Sequence, residues 1–343
     1  MRVTPFLASA IFLAAAAPAF AATPVHYQLE RVIKLGGDGG WDYLTYDADG
    51  QRLFLSRFTR VMVVDPVTGK VLKEIPGTDG VHGIALAHDL GKGFTSNGRE
   101  STVTVFSLKT LEQTDKVKVT GDNPDAIVYE PVTHRVFTMN GRSDSATVID
   151  AATDKVVATI PLDGRPEFAV ADGKGKLFVN IESKSELSEI DAAGAKVVKT
   201  WSLAPCESPS GLAMDKDHRR LFSGCDNKVM AVSDADAGKV VATFPIGEGV
   251  DATRFDPGTE LAFSSNGEGT LTVAHEDSPD KYTVLENAPT QKYARTMALD
   301  QATHTVYLVT ADVKIEPPVA DGERPKRTVL PDSFRVLVMG LQK

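Results

Sequence analysis

Seven side chains suited to chemistry recur through the sequence at a steady interval: Asp42, His82, Asp125, Glu167, Ser210, Asp251 and Arg295. Successive members lie 40, 43, 42, 43, 41 and 44 residues apart. Six can carry charge and four are acids. Three kinds of chemistry fit such a set if it converges. Asp42, His82, Asp125, Glu167 and Asp251 could hold a divalent cation through oxygen ligands and one imidazole. That ion could activate water for lactone or ester hydrolysis, with His82 as base. Alternatively, the acids and arginines recognise a small polar ligand, arginine gripping its carboxylates or phosphates. In the third case the groups pair with one another in a hydrated plug. Spacing defines the ring and leaves the rotamers open.

Each of the seven stands two positions ahead of a short strand-like phrase. The phrases are LTYD (44–47), IALA (84–87), IVYE (127–130), AVAD (169–172), LAMD (212–215), TRFD (253–256) and MALD (297–300). A second column follows in the next run: Phe54, Phe94, Phe137, Phe178, Phe222, Phe263 and Tyr307. Residues 124–166 show the whole unit, with runs IVYE, RVFTM, ATVID and VVATI each closed by a turn signal. The runs are rich in β-branched and aromatic residues, as half-buried strands are. Asp150 is placed to cap the third turn through its side chain. Four strands per unit and a period of roughly 40–45 residues define a β-propeller.

The expected architecture is therefore all-β, a seven-bladed β-propeller in one domain over 22–343. Units run 41–76, 81–119, 124–162, 166–203, 209–246 and 250–289, with a seventh from 294. The seventh has three clear strands, so a strand within 25–35 should supply its outer edge and close the ring. Residues 313–332, between its second and third strands, form a Pro-rich loop with Arg324, Lys326 and Arg327. The loop is either a solvated excursion or a lid or docking element over one rim.

In a propeller, sites form at a mouth of the central channel. The ends of the second strands should bring Arg57, Asn97, Arg99, Asn140, Arg142, Asn266 and Glu268 to the same rim, and Trp41 could wall the pocket. His88, His134, His218 and His304 fall in first-to-second strand turns on the opposite rim and read as solvated. His275 and Glu276 read as an outer turn. Residues 36–40 are glycine-rich but precede a strand, so they form a flexible lead-in and not a phosphate loop. Ser210 lacks a G-x-S-x-G elbow.

Met1-Arg2, an apolar run and Ala19-Phe20-Ala21 have the form of a cleavable secretory signal over 1–21, which places the protein in the periplasm. No later stretch is apolar enough to span a membrane. Export permits a disulfide between Cys206 and Cys225, the only cysteines. The formal charge of −9, one more negative without Arg2, argues against general nucleic-acid binding. Hydrophobic content of 42% and charged content of 24% are those of a soluble globular chain, expected to be a monomer.

At unit three the run TVIDAATDKVVATIPLDGRPEFAVAD (147–172) resembles the YVTN repeat. VVDPVTGKVLKEI (63–75) and AGKVVATFPIGEGVDATRFD (237–256) are similar pieces. The chain thus resembles the YncE-like seven-bladed propellers of the bacterial periplasm, over essentially its whole mature length. Units two and six depart most, with FSLKTLEQ and VAHEDSPD in place of the usual turn. The resemblance implies ligand or nucleic-acid binding; the acidic charge disfavours nucleic acid, and the expected function is that of an exported protein that binds a small polar ligand or a periplasmic protein partner. A metal-dependent, lactonase- or lyase-like enzyme is the alternative, and an accessory protein to a redox enzyme or outer-membrane receptor is another. Fold alone does not choose among them.

Overall fold

The structure, a computed structural model, describes residues 25–316 and 326–342. The signal segment 1–21 and Arg324 lie outside them. Seven four-stranded antiparallel sheets form the blades of the ring. Blade one has strands Leu44–Asp47, Arg52–Arg57, Arg60–Val64 and Val71–Pro76, from the axis outwards. The inner strands of blades two to six are Val81–Ala87, Pro124–Glu130, Pro166–Ala171, Pro209–Asp215 and Val250–Asp256. Blade seven runs Met297–Asp300, Thr305–Thr310, Arg335–Gln342 and then His26–Lys34. The N-terminal strand closes the ring, as the three-stranded last unit requires.

The turns are built by the side chains that the sequence puts there. Asp65, Asp150 and Asp234 accept backbone N–H bonds two or three residues on, at 2.8–3.1 Å. Glu130 and Asp215 cap first-to-second turns likewise. These bonds satisfy groups that would otherwise be unpaired where a strand reverses.

The core lies between blades. Residues Phe137 and Met139 of blade three pack on Leu177, Val179 and Ile181 of blade four, and similar clusters join the other neighbours. Phe54, Phe94, Phe137, Phe178, Phe222 and Phe263 are all fully buried. Burial of each such ring contributes roughly 1.5–3 kcal/mol. The closing strand is fastened by Tyr27, which meets Phe263 edge to face at 5.2 Å and donates its hydroxyl to the His304 carbonyl at 2.9 Å. Cys206 and Cys225 are joined, with Cα atoms 5.5 Å apart, pinning the link before blade five to the end of its second strand.

Inner strands crowd near the axis. A Cβ on Gly211 would lie 2.6 Å from the Thr253 backbone nitrogen of blade six. Only glycine lets two backbones approach so closely.

Among the described residues no helix is long and apolar enough to cross a membrane. Within the 313–332 loop the structure describes 313–316 and 326–332, and Val313–Glu316 pairs antiparallel with Lys326–Val329.

Candidate functional site

One irregularity aims the recurrent polar residues. In blades two to six the inner strand carries a register shift at its start, between Val81 and Ile84, Pro124 and Ile127, Pro166 and Ala169, Pro209 and Leu212, and Val250 and Ala252. His82, Asp125, Glu167, Ser210 and Asp251 sit in these bulges. A bulge re-aims a side chain that regular pleating would send to a sheet face.

Hydroxyls of neighbouring strands hold the backbone there. Ser96 donates to the Asp125 carbonyl and Ser265 to the Arg295 carbonyl. Thr296 bonds the Asp42 carbonyl at 2.9 Å, and the Asp42 N–H donates to Ser56 at 2.9 Å.

The side chains meet. His82 Nδ1 lies 2.6 Å from Asp42 Oδ2 and 3.7 Å from Asp125 Oδ1. Ligand atoms of these three residues all fall within 4.8 Å of one another. Ser210 donates to Asp251 Oδ1 at 3.1 Å, and Arg295 pairs with Asp251 Oδ2.

Charge at this mouth is unbalanced. Burial raises Glu167, and Asp125 and Asp251 raise it further, to about 9. Burial raises Asp125 to about 7, against the opposing pull of His82. Asp251 is raised by burial to about 6 although Arg295 favours its charge. Burial works against the His82 cation, yet the Asp42 bond and Asp125 outweigh it and hold it at about 9. The Asp251 carboxylate holds Arg295 well above its ordinary value. Among the described residues of the ring, two cations thus face four carboxyl groups, and the Glu182–Arg165 pair stands beside Glu167.

The other rim candidates are elsewhere. Arg57 is fully buried. Its guanidinium bonds the carbonyls of residues 36–39 at 2.8–3.5 Å and stacks 3.7 Å from the Phe334 ring centroid. It wraps the glycine-rich segment, which is therefore a held loop and not a free lead-in. Trp41 packs on Phe334 at 6.0 Å between blades one and seven and does not wall the acid cluster. Arg99 is exposed, lies over the Phe58 ring at 4.1 Å and is 4.0 Å from Asp79. Arg142 is exposed and among the described residues has no ion-pair partner. Asn97, Asn140 and Asn266 are buried, each donating to two threonine or serine hydroxyls within its own blade at 2.9–3.2 Å. Short side chains at a strand end are satisfied locally before they reach the axis.

The opposite rim also differs from expectation. His88, His134, His218 and His304 do lie in turns, but none is simply solvated. Three tie their blade to the preceding one: His88 lies 3.2 Å from Asp49, His134 2.8 Å from Asp89, and His304 2.7 Å from Asp256. His218 sits between Asp215 at 2.8 Å and Glu276 at 3.0 Å. His275 and Glu276 belong to a strand, Thr270–Ser278, and Glu276 is buried. Long pairing with Lys281–Pro289, interrupted by register shifts at Val273/Ala274 and Glu276/Ser278, extends that strand beyond the turn its polar residues suggest.

Inside the channel the structure adds residues that the polar pattern missed. Tyr43 of blade one meets Phe168 of blade four edge to face, centroids 5.3 Å apart. Blades one and four are not neighbours, so this contact crosses the axis. Arg254 of blade six reaches the same level, 5.2 Å from the Phe168 ring centroid. The three residues form a septum. On one side are the acids, whose charge, after burial, pushes the Tyr43 phenol well above its ordinary value. On the other is a cavity of about 500 Å³ lined by Ile84, Leu86, Ile127, Val170, Leu212 and Met214, among others. A sequence signal existed. The positions after the seven polar residues read Tyr43, Gly83, Ala126, Phe168, Gly211, Ala252 and Thr296, and the two aromatic members are the pair that meets.

Comparison with known proteins supports the class that this ring defines, the seven-bladed β-propeller. No family model matches the chain, and no curated protein matches its sequence. Solved structures do. The RRP9 WD40 repeats superpose with a TM-score of 0.73 at 12% identity, covering 92% of this chain and 100% of that one. U3-55K gives 0.72 at 11%, covering 90% and 97%. Hydrazine synthase of Kuenenia stuttgartiensis gives 0.69 at 17%, covering 78% and 92%. These likenesses are of fold alone.

Proposed function

We propose that this is an exported, periplasmic propeller of the YncE-like kind, and that it works by binding a small polar ligand at the acidic mouth of its channel. The ligand carries positive charge. The observation behind this reading is the convergence of Asp42, Asp125, Glu167 and Asp251 on one end of the axis against only His82 and Arg295. A cation entering there replaces the missing countercharge and lets the raised carboxyls ionise. Ser210 and Arg295 position Asp251, and Asp42 positions the His82 ring.

A divalent ion is the second reading, favoured by the tight Asp42, His82 and Asp125 set. Two carboxylates and an imidazole suit a borderline metal and leave positions for water or substrate. In that case the protein is a metal-dependent hydrolase or lyase of lactonase type, with Glu167 and Asp251 beside the ion.

The deciding experiment is elemental mass spectrometry on protein purified from the periplasm without chelator or His-tag, followed by calorimetric titration with putrescine, L-arginine and Zn²⁺. Saturable binding of an organic cation, lost in Asp125→Asn, supports the binder. Close to one metal per chain, lost in the same variant, supports the metal reading. Neither result, with a protein captured on pull-down instead, transfers the function to an accessory role.

A further inference from the structure

The half of the channel beyond the septum has the makings of a separate site. Its side chains are mostly apolar beside a comparable amount of polar surface, and its open end is at the turn rim, where Pro131, Gly173 and Lys216 border it. Arg254 stands at its closed end. Among the described residues the Arg254 guanidinium makes one hydrogen bond, from Nη1 to the adjacent Thr253 carbonyl at 2.8 Å, and has no carboxylate partner. A guanidinium carries five N–H donors in a planar fork. Among the described residues the other donors have no side-chain acceptor, and the guanidinium borders the cavity. Arg254 is half-buried, so a ligand acceptor there would take the place of water on donors the protein leaves open. Burial accordingly lowers its pKa to about 10.

The sequence marks Arg254 as an exception. The equivalent positions of the other six phrases hold Thr45, Ala85, Val128, Val170, Ala213 and Ala298. Five small or branched apolar residues and one threonine line the ring where blade six places its only cation.

We propose that this cavity binds an amphipathic carboxylate, an organic acid with an aromatic or branched hydrocarbon body, entering from the turn rim. Its carboxylate takes a bidentate pair of bonds from Arg254. Its body lies against Ile84, Leu86, Leu212 and Met214, with the Phe168 ring as the floor. The cavity of about 500 Å³ accommodates a molecule of that class. This site is separate from the acidic mouth, because Tyr43 and Phe168 stand between them.

The test uses calorimetric titration of the full mature protein with 4-phenylbutyrate and with its neutral amide. The acid is expected to saturate with a Kd on the order of 1 mM, as suits a ligand of this size in a half-open cavity. The amide, and the acid titrated into Arg254→Met, are expected to bind at least about tenfold more weakly. Met214→Trp, which narrows the cavity and leaves the guanidinium in place, should weaken the acid as well. Absence of saturable binding by the acid overturns the proposal. So does equal binding of acid and amide in the unmodified protein, a comparison that needs no variant to fold.

Discussion

Tyr43 and Phe168 touch across the channel axis, ring centroids 5.3 Å apart and planes at 72°, although they belong to the first and fourth blades of a seven-blade ring. The contact splits one channel into two environments. Acids crowd one end, and an apolar chamber with a lone guanidinium fills the other. Phe168→Ala should remove this wall together with the stacking surface of Arg254. Phe168 is half-buried, so we expect a loss of about 1–2 kcal/mol in denaturant unfolding, less than for a fully buried phenylalanine. Tyr43→Phe, which keeps the ring contact, should cost far less.

Glu167 gives a pH signature. Its folded pKa is raised from 4.5 to about 9. The folded state therefore holds a proton that the unfolded state has released, and stability falls as pH rises through that window. Glu167→Gln removes the effect. Its melting temperature should match that of the unmodified protein near pH 4 and exceed it increasingly up to pH about 9. Parallel melting curves across this range would refute the assignment.

His82 works in the same direction over a narrower window, from 6.5 to about 9. Its stabilising bond to Asp42 is fully present below the lower value and is lost as pH rises through the upper one. Proton NMR should show one imidazole titrating near 9. In Asp42→Asn that resonance should move back towards the ordinary histidine range.

Arg57 tests the distinction between a rim residue and a buried one. Its guanidinium serves four backbone carbonyls and the Phe334 ring. Arg57→Met leaves those carbonyls to find water inside the fold, at a cost of roughly 2–4 kcal/mol. Ligand affinity at the acidic mouth should not change in protein that remains folded. Arg99→Ala, at an exposed site, should leave thermal unfolding nearly unaltered.

The Cys206–Cys225 bond closes a segment of 19 residues. Chain-entropy arguments assign about 3 kcal/mol to a loop of that size. The double serine variant should show that loss in urea unfolding, and adding a reductant should destabilise the unmodified protein but leave the variant unchanged.

The residues along the chain determined the architecture by themselves. Alternation of two, turn caps such as Asp150 and a recurrence of about 42 residues are local properties, and the buried aromatic column, phenylalanine in six blades and Tyr307 in the seventh, repeats with them. The closing strand was legible for the same reason, since blade seven lacked one partner. The convergence of the polar ring was legible as well, because each member keeps the same offset from its strand. Tertiary structure decided the rest. Whether Arg57 points to the axis or into its own loop depends on which acceptors stand nearby, and residues 36–39 supply them. Whether a channel is open depends on two side chains from blades that are distant in sequence and brought opposite by ring closure. The chain marks Tyr43 and Phe168 as the two aromatic members of one register, but that they meet across the axis, with Arg254 beside them, is decided by ring closure.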